Sequence, residues 1–249
     1  MVRWGHCVIS LRRLSIQTKW EFSLNARNFE QALLIVVIPV LILFILTNTT
    51  IIGGQNSPIP LGFATVVTVS TFAAGFTSLA IATAFERRSD TLVFLGTTSL
   101  TRVEVVLAKS AGSFLLALLA GTFTLVAALL LGWIPSPSAV LIPISIALGV
   151  FSVSGFAYLL AGTVRAEAVL AIANAVFVCV LLFGGVLYTF STEITQVLEF
   201  FPPLALKHVM EASVATSGSA DASILMAVLV LFGWGVVGHV LASRFFKWR

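Results

Sequence analysis

Six stretches of nearly uncharged residues, at 32–50, 61–85, 105–133, 139–164, 168–188 and 222–242, set the terms on which this chain can fold. A helix needs about 20 apolar residues to cross the hydrocarbon layer of a bilayer, and each stretch has roughly that length. Composition agrees. Charged residues make up 10% of the 249 and hydrophobic ones 59%, whereas a soluble domain carries about 25% charge. Folded in water, such a chain would expose large apolar patches. The sequence therefore predicts an all-α integral membrane protein of six transmembrane helices, with the lipid bilayer as its solvent. Several ends are marked: Thr101 and Glu104 form a capping-box pattern, Asp221 can cap the sixth span, and Pro135 and Pro137 close the turn after the third.

The basic residues decide orientation. Arg3, Arg12, Arg13, Lys19 and Arg27 precede the first span, and Arg87, Arg88, Arg102 and Lys109 lie around the loop between the second and third. Arg165 separates the fourth from the fifth, and Arg244, Lys247 and Arg249 follow the sixth, so 13 of the 14 Lys/Arg fall on one side. The positive-inside rule then places both termini and the 86–104 loop in the cytoplasm of a bacterial-type cell. No acidic or basic tract suited to nucleic acid accompanies the net charge of +4. Residues 1–31 interleave Val8, Ile9, Leu14, Ile16, Trp20 and Phe22 with their charges. That mixture suits an amphipathic helix lying in the membrane interface, with a disordered basic leader as the alternative for 1–15.

Residues 189–221, on the opposite side, are too long for a tight turn and too apolar for a free loop. Ser191 or Thr192 can start a short helix through Ile194, Val197 and Leu198, Pro202–Pro203 breaks it, and a second runs through Leu204, Leu206, Val209 and Met210. This reads as a re-entrant hairpin, whose non-helical backbone protein would have to bury. A helix lying flat on the outer surface is the other possibility. Glu193, Glu199, Lys207, His208 and Glu211 suit its wet ends.

Within the spans, Thr68, Thr71, Gly75, Ser78 and Ala82 fall near one face of the second helix. Ala171, Ala175 and Cys179, with Asn174 beside them, mark the fifth. Small residues in rows let helices approach closely; the same faces are candidates for a substrate pathway. Glu167 beside Arg165 suggests an interfacial ion pair, and His239 a packing role. No span centre carries an Asp, Glu, Lys or Arg, which counts against an ion-coupled carrier. A P-loop lysine, an HExxH and a GxSxG are all absent from the sequence, so it is not read as an enzyme. Cys7 and Cys179 are too few for a disulfide framework or a metal site.

The loop from Phe85 to Lys109 carries the most information. Ser89 or Asp90 can cap a short helix with Leu92, Val93 and Leu95 on its apolar side, and Gly96 can end it. Without a partner it would be a solvated loop with interfacial charges. The pattern Glu86-Arg87-Arg88, Thr91-Leu92, Leu95, Thr97-Thr98, Leu100, Arg102 and Lys109 resembles the loop of ABC-2-type transporter permeases. Arg27-Asn28 and Pro39 resemble that family's beginning. Two positions depart from it: Asp90 stands where the family usually has Gly, and Ser99 where it usually has Pro, and both changes should alter turn geometry.

The resemblance implies a permease subunit without its own ATPase, paired as a dimer with a second copy or a related permease. It would dock two copies of a separate ABC ATPase that binds ATP and Mg. Coupling to that ATPase would fall to Glu86, Arg87, Arg88, Leu92, Leu95 and Arg102, and the family's pathway-facing spans direct notice to Thr68, Thr71, Ser78 and Asn174. An exporter of a drug, lipid or glycolipid is the expectation. A secondary carrier or channel, and a non-transporting assembly subunit, are the competing readings.

Overall fold

The computed structural model describes residues 10–27, 29–48, 58–188, 190–215 and 222–246. Among the described residues every regular element is helical: α1 (Leu11–Arg27), α2 (Phe29–Asn48), α3 (Ile59–Phe72), α4 (Leu79–Arg88), α5 (Thr91–Leu95), α6 (Arg102–Leu130), α7 (Ile142–Thr163), α8 (Ala166–Phe183), α9 (Thr192–Leu198), α10 (Pro202–Val214) and α11 (Ala222–Phe245). One π-helical turn, Ala73–Ser78, joins α3 and α4 into a continuous helix. Among the described residues, five helices are long and apolar enough to cross a membrane: Ile59–Arg88, Arg102–Leu130, Pro137–Thr163, Ala166–Phe183 and Ser223–Phe245. The first expected span is occupied by α2, whose apolar part among the described residues is Val37–Asn48. The Asp221 cap expected for the last helix lies outside the described residues.

Length separates these helices into two kinds. The α3–α4 helix has 30 residues and α6 has 29, about 45 Å each at 1.5 Å per residue. A hydrocarbon layer of about 30 Å leaves roughly 15 Å of each standing beyond it. At the start of α6 the expected capping box is formed: Glu104 N–H donates to Thr101 Oγ1 at 3.2 Å and Thr101 N–H to Glu104 Oε2 at 2.7 Å. By contrast α8 ends at Phe183 rather than near Tyr188, because the chain turns at Gly184–Gly185 and Gly185 takes φ +70°.

The bundle is centred on α3, which buries Phe63 to Val69 without a break. The α7–α11 pair packs most closely. A Cβ added at Gly155 would lie 2.4 Å from the backbone of Gly238 and His239, and Phe151 lies across Gly235. Small residues here replace apolar drive with close van der Waals contact, as helix pairs in lipid require. Residues 190–215 form the two short helices expected around the Pro202–Pro203 break. Their halves differ: α9 buries no residue, whereas α10 buries Leu204, Leu206, Val209 and Met210 against α3, α7 and α11. Leu206 fills the space over Gly149. A helix lying flat on an outer surface would leave one face open; α10 is instead part of the core.

The π turn corrects one expectation. Thr68, Thr71, Gly75 and Ser78 do not share a face. Thr71 and Gly75 point at α7, where Gly149, Val150 and Val153 receive them. The extra residue in the π turn rotates Ser78 round to the crevice lined by Ile38, Pro39, Leu116 and Phe177. A three- and four-residue spacing rule assumes an uninterrupted α-helix.

Candidate functional site: a charged platform and a lateral cleft

Four segments meet at the end of the bundle where the basic residues gather: α1, the end of α4, α5 and the first turns of α6. The helix α1 has its polarity inverted relative to a soluble amphipathic helix. It buries Gln17 and Glu21 and exposes Ile16, Trp20 and Leu24, spaced four apart. Its polar face lies on α6 at Gly112, where a Cβ would come within 3.0 Å of Glu21 Cβ. The apolar face, Ile16, Trp20 and Leu24, is left open.

The contact is held by charge. Lys109 Nζ donates to Glu21 Oε2 at 3.0 Å and is also paired with Glu86 at the end of α4. Gln17 Nε2 donates to the other oxygen of Glu21 at 2.8 Å. The Lys109 side chain is 3% exposed, so these charges attract one another with little screening. One cation between two carboxylates thus fastens α1, α4 and α6 together. A second clasp lies nearby: the fully buried Glu104 carboxylate accepts from Ser10 N–H at 2.8 Å and from Arg13 Nε at 3.2 Å, while Arg13 Nη1 donates to Ser99 O at 2.7 Å. Arg13 thus ties α1 to the backbone carbonyl of Ser99, a group that a proline at this position would offer equally.

The loop itself places the expected coupling residues in two groups. Glu86, Arg87 and Arg88 all engage this chain: Glu86 with Lys109, Arg87 with the carbonyl of Val164, and Arg88 with Glu167. Arg165 was the expected partner for Glu167; the structure gives it Arg88, because the α7–α8 turn lies beside the end of α4. Leu92 is 1% exposed and anchors α5, Leu95 is half-buried, and Arg102 is exposed on the first turn of α6. The outward knob is Phe94, 68% exposed. Two helical steps from the buried Leu92, it points the other way, a consequence readable from the 100° turn per residue. Asp90 precedes α5 with φ +58°. That is the left-handed conformation a glycine adopts freely and that Asp tolerates better than most residues. The family's Gly-to-Asp change thus keeps the turn rather than altering it.

The expected pathway residues do not converge within one chain. Thr68 and Thr71 are buried, and each hydroxyl donates to the carbonyl one turn back, Ala64 at 2.8 Å and Val67 at 2.7 Å. Asn174 is on the outward face of α8 and donates to Leu170 O at 2.9 Å. Between them lies a feature that no sequence pattern announced. The helix α8 leans on α4 and the π turn but makes little contact with α7. The gap is a cleft of about 810 Å³, bounded by Phe72, Phe76, Phe156, Val176, Phe201 and Trp234. Its wall is almost all carbon. Trp234 Nε1 is satisfied by Phe200 O at 2.8 Å.

A helical membrane bundle with a charged platform at one end and an apolar lateral cleft is the frame of a transport subunit. Residues 12–216 match the family model described as ABC-2 type transporter, and the chain belongs to that family. It is therefore a permease component of an ABC transporter, a multi-pass membrane protein of a family that works with an ABC ATPase. No individual curated protein matches it.

Proposed function

We propose that this chain is the permease subunit of an exporter that moves a hydrophobic or amphiphilic substrate out of the cytoplasm. Two copies of a separate ATPase, which bind ATP and Mg, drive a pair of permease subunits. Both termini and the platform lie on the cytoplasmic side, and α9–α10 dips in from the other. The observation that carries this reading is Phe94: a large apolar side chain exposed on a loop that three helices hold rigid through buried charge. Aromatic residues dominate the energetics of such contacts. Phe94, Leu95 and Arg102 form the contact surface, while Leu92, Glu86, Arg87 and Arg88 pass its movement into α4, α6, α7 and α8. ATP-driven closure of the partner tilts the platform as a body, and helices fixed to it follow.

On the membrane side, the lateral cleft supports an apolar substrate, since a charged group entering it would find no partner. Thr68, Thr71, Ser78 and Asn174 stand outside the lining of this cleft, so in this reading its aromatic and aliphatic walls alone hold the substrate. The test is reconstitution of the permease with its ATPase, reading substrate-stimulated hydrolysis and export. Ala175→Phe, which narrows the cleft, should lower stimulation by amphiphiles without preventing assembly. Equal stimulation in that variant, or transport by the permease alone on an ion gradient, contradicts the proposal.

A further inference from the structure

The lateral cleft has two walls, and the charged platform grips one of them by ion pairs. Phe72, Phe76 and Val176 belong to the helix of α3 and α4 and to α8, which the platform reaches through Glu86 with Lys109 and Arg88 with Glu167. Val153, Phe156 and Trp234 belong to α7 and α11. That second wall is a stiff pair of helices. A Cβ at Gly155 would meet α11 backbone at 2.4 Å, His239 stacks on Phe151 with ring centroids 5.0 Å apart, and Phe156 packs on Trp234 at 5.4 Å. Arg87 holds the carbonyl of Val164, beyond the last turn of α7. The link that enters the helix pair itself is Tyr158.

Tyr158 stands on α7 three residues beyond Gly155 and is buried. Its hydroxyl reaches α6 in the turn that carries Lys109: Oη donates to Val106 O at 2.9 Å and lies 2.8 Å from Ser110 Oγ. A phenol has a single proton to give, so Ser110 is the donor in the second contact. On its other side the ring meets His239 of α11 edge-on, with centroids 6.2 Å apart, and His239 Nδ1 is fixed by Gly235 O at 2.8 Å. The phenol therefore bridges α6 and α11 with both ends occupied. Closely packed interiors transmit a displacement rather than absorb it. We propose that Tyr158 is a positioning residue for transport, a strut that carries platform movement from α6 into the α7–α11 wall of the cleft. Both walls then follow the ATPase, one through Glu86 and Arg88 and the other through Tyr158. This role rests on the reading that an ATPase drives the platform; the strut itself belongs to the permease alone.

Tyr158→Phe keeps the ring and removes the link. Ser110 Oγ can then turn to Val106 O, one turn back on its own helix, so no buried hydroxyl is stranded and the fold is retained. The first measurement uses the full-length permease without the ATPase. Spin labels placed by Val103→Cys on α6 and Val240→Cys on α11, both exposed positions, report the distance between the helices after Cys7 and Cys179 are replaced by serine. The native distribution is single and narrow, and Tyr158→Phe broadens it. The second measurement uses the reconstituted complex. Tyr158→Phe lowers maximal substrate stimulation of ATP hydrolysis about fivefold, the loss expected of one buried hydrogen bond. Basal hydrolysis and the substrate concentration for half-stimulation stay native, whereas a merely structural residue would lower basal and stimulated hydrolysis together. Ser110→Ala, which keeps the bond to Val106 O, loses less and adds nothing to Tyr158→Phe. An unbroadened distance in Tyr158→Phe, or full stimulation of its complex, overturns the proposal. A native complex that substrate does not stimulate refutes the ATPase-driven reading instead, and the label distances still decide the strut.

Discussion

Replacing Lys109 by methionine removes the cation from between Glu21 and Glu86 while keeping the length of the side chain. The Lys109 side chain is 3% exposed, and those of its partners are 9% and 21% exposed. Two carboxylates would then face each other in a site that excludes most water. Breaking a buried pair by deleting one partner costs about 3–5 kcal/mol, a large part of a domain's stability of roughly 5–15 kcal/mol. Glu86→Gln should behave differently, because it leaves Lys109 paired with Glu21 and the site electrically neutral. Hydrogen exchange of the α1 amides reads the consequence locally, since α1 packs mainly on α6, the helix that carries Lys109. Lys109→Met should therefore lose protection across Leu11–Arg27 well before the bundle, Glu86→Gln should lose little, and the double variant with Glu21→Gln should recover part of the loss. Protection of α1 in Lys109→Met equal to that of the native chain would refute the claim that this trio fastens the platform.

Phe94→Asp should weaken co-purification of the ATPase by tenfold or more, as for loss of an aromatic hot spot of about 2 kcal/mol, with an unchanged melting temperature; pull-down with the purified ATPase decides it. Asp90→Gly should be neutral or slightly stabilising, and Asp90→Val should cost about 1–2 kcal/mol because of the left-handed backbone there, read by thermal unfolding in micelles. Gly155→Val should cost at least about 1–3 kcal/mol, since its Cβ would meet α11 backbone at 2.4 Å, and the loss should be visible in unfolding by denaturing detergent.

Much of the architecture was legible because lipid imposes simple rules. Runs of apolar residues mark helices, Pro202–Pro203 marks a break, and Thr101 with Glu104 marks a start; each requires only local sequence. What escaped depends on partners distant in the chain. Lys109 belonged to the loop pattern, yet its meeting with Glu21, 88 residues away, has no local signature beyond a basic residue just inside a span. The inverted polarity of α1 was half-visible, since Ile16 and Trp20 alternate with charge, but which face lies inward follows from Gly112 on another helix. Ser78 was misplaced for a physical reason: one π turn adds a residue and shifts the helical phase. Phe94 was overlooked because Leu92 and Leu95 are apolar too, and only the buried position of Leu92 settles which side points out. The lateral cleft arises from the angle of α8, which no pattern within α8 encodes.

The central claim is that the platform transmits work from a separate ATPase to the membrane helices. Its most direct measurement is substrate-stimulated ATP hydrolysis by the reconstituted permease–ATPase complex, native against Lys109→Met, with assembly checked in the same samples. The account predicts that the native complex is stimulated by an amphiphilic substrate, and that the variant complex assembles but keeps only basal hydrolysis. An assembled Lys109→Met complex with full stimulation and export would contradict it.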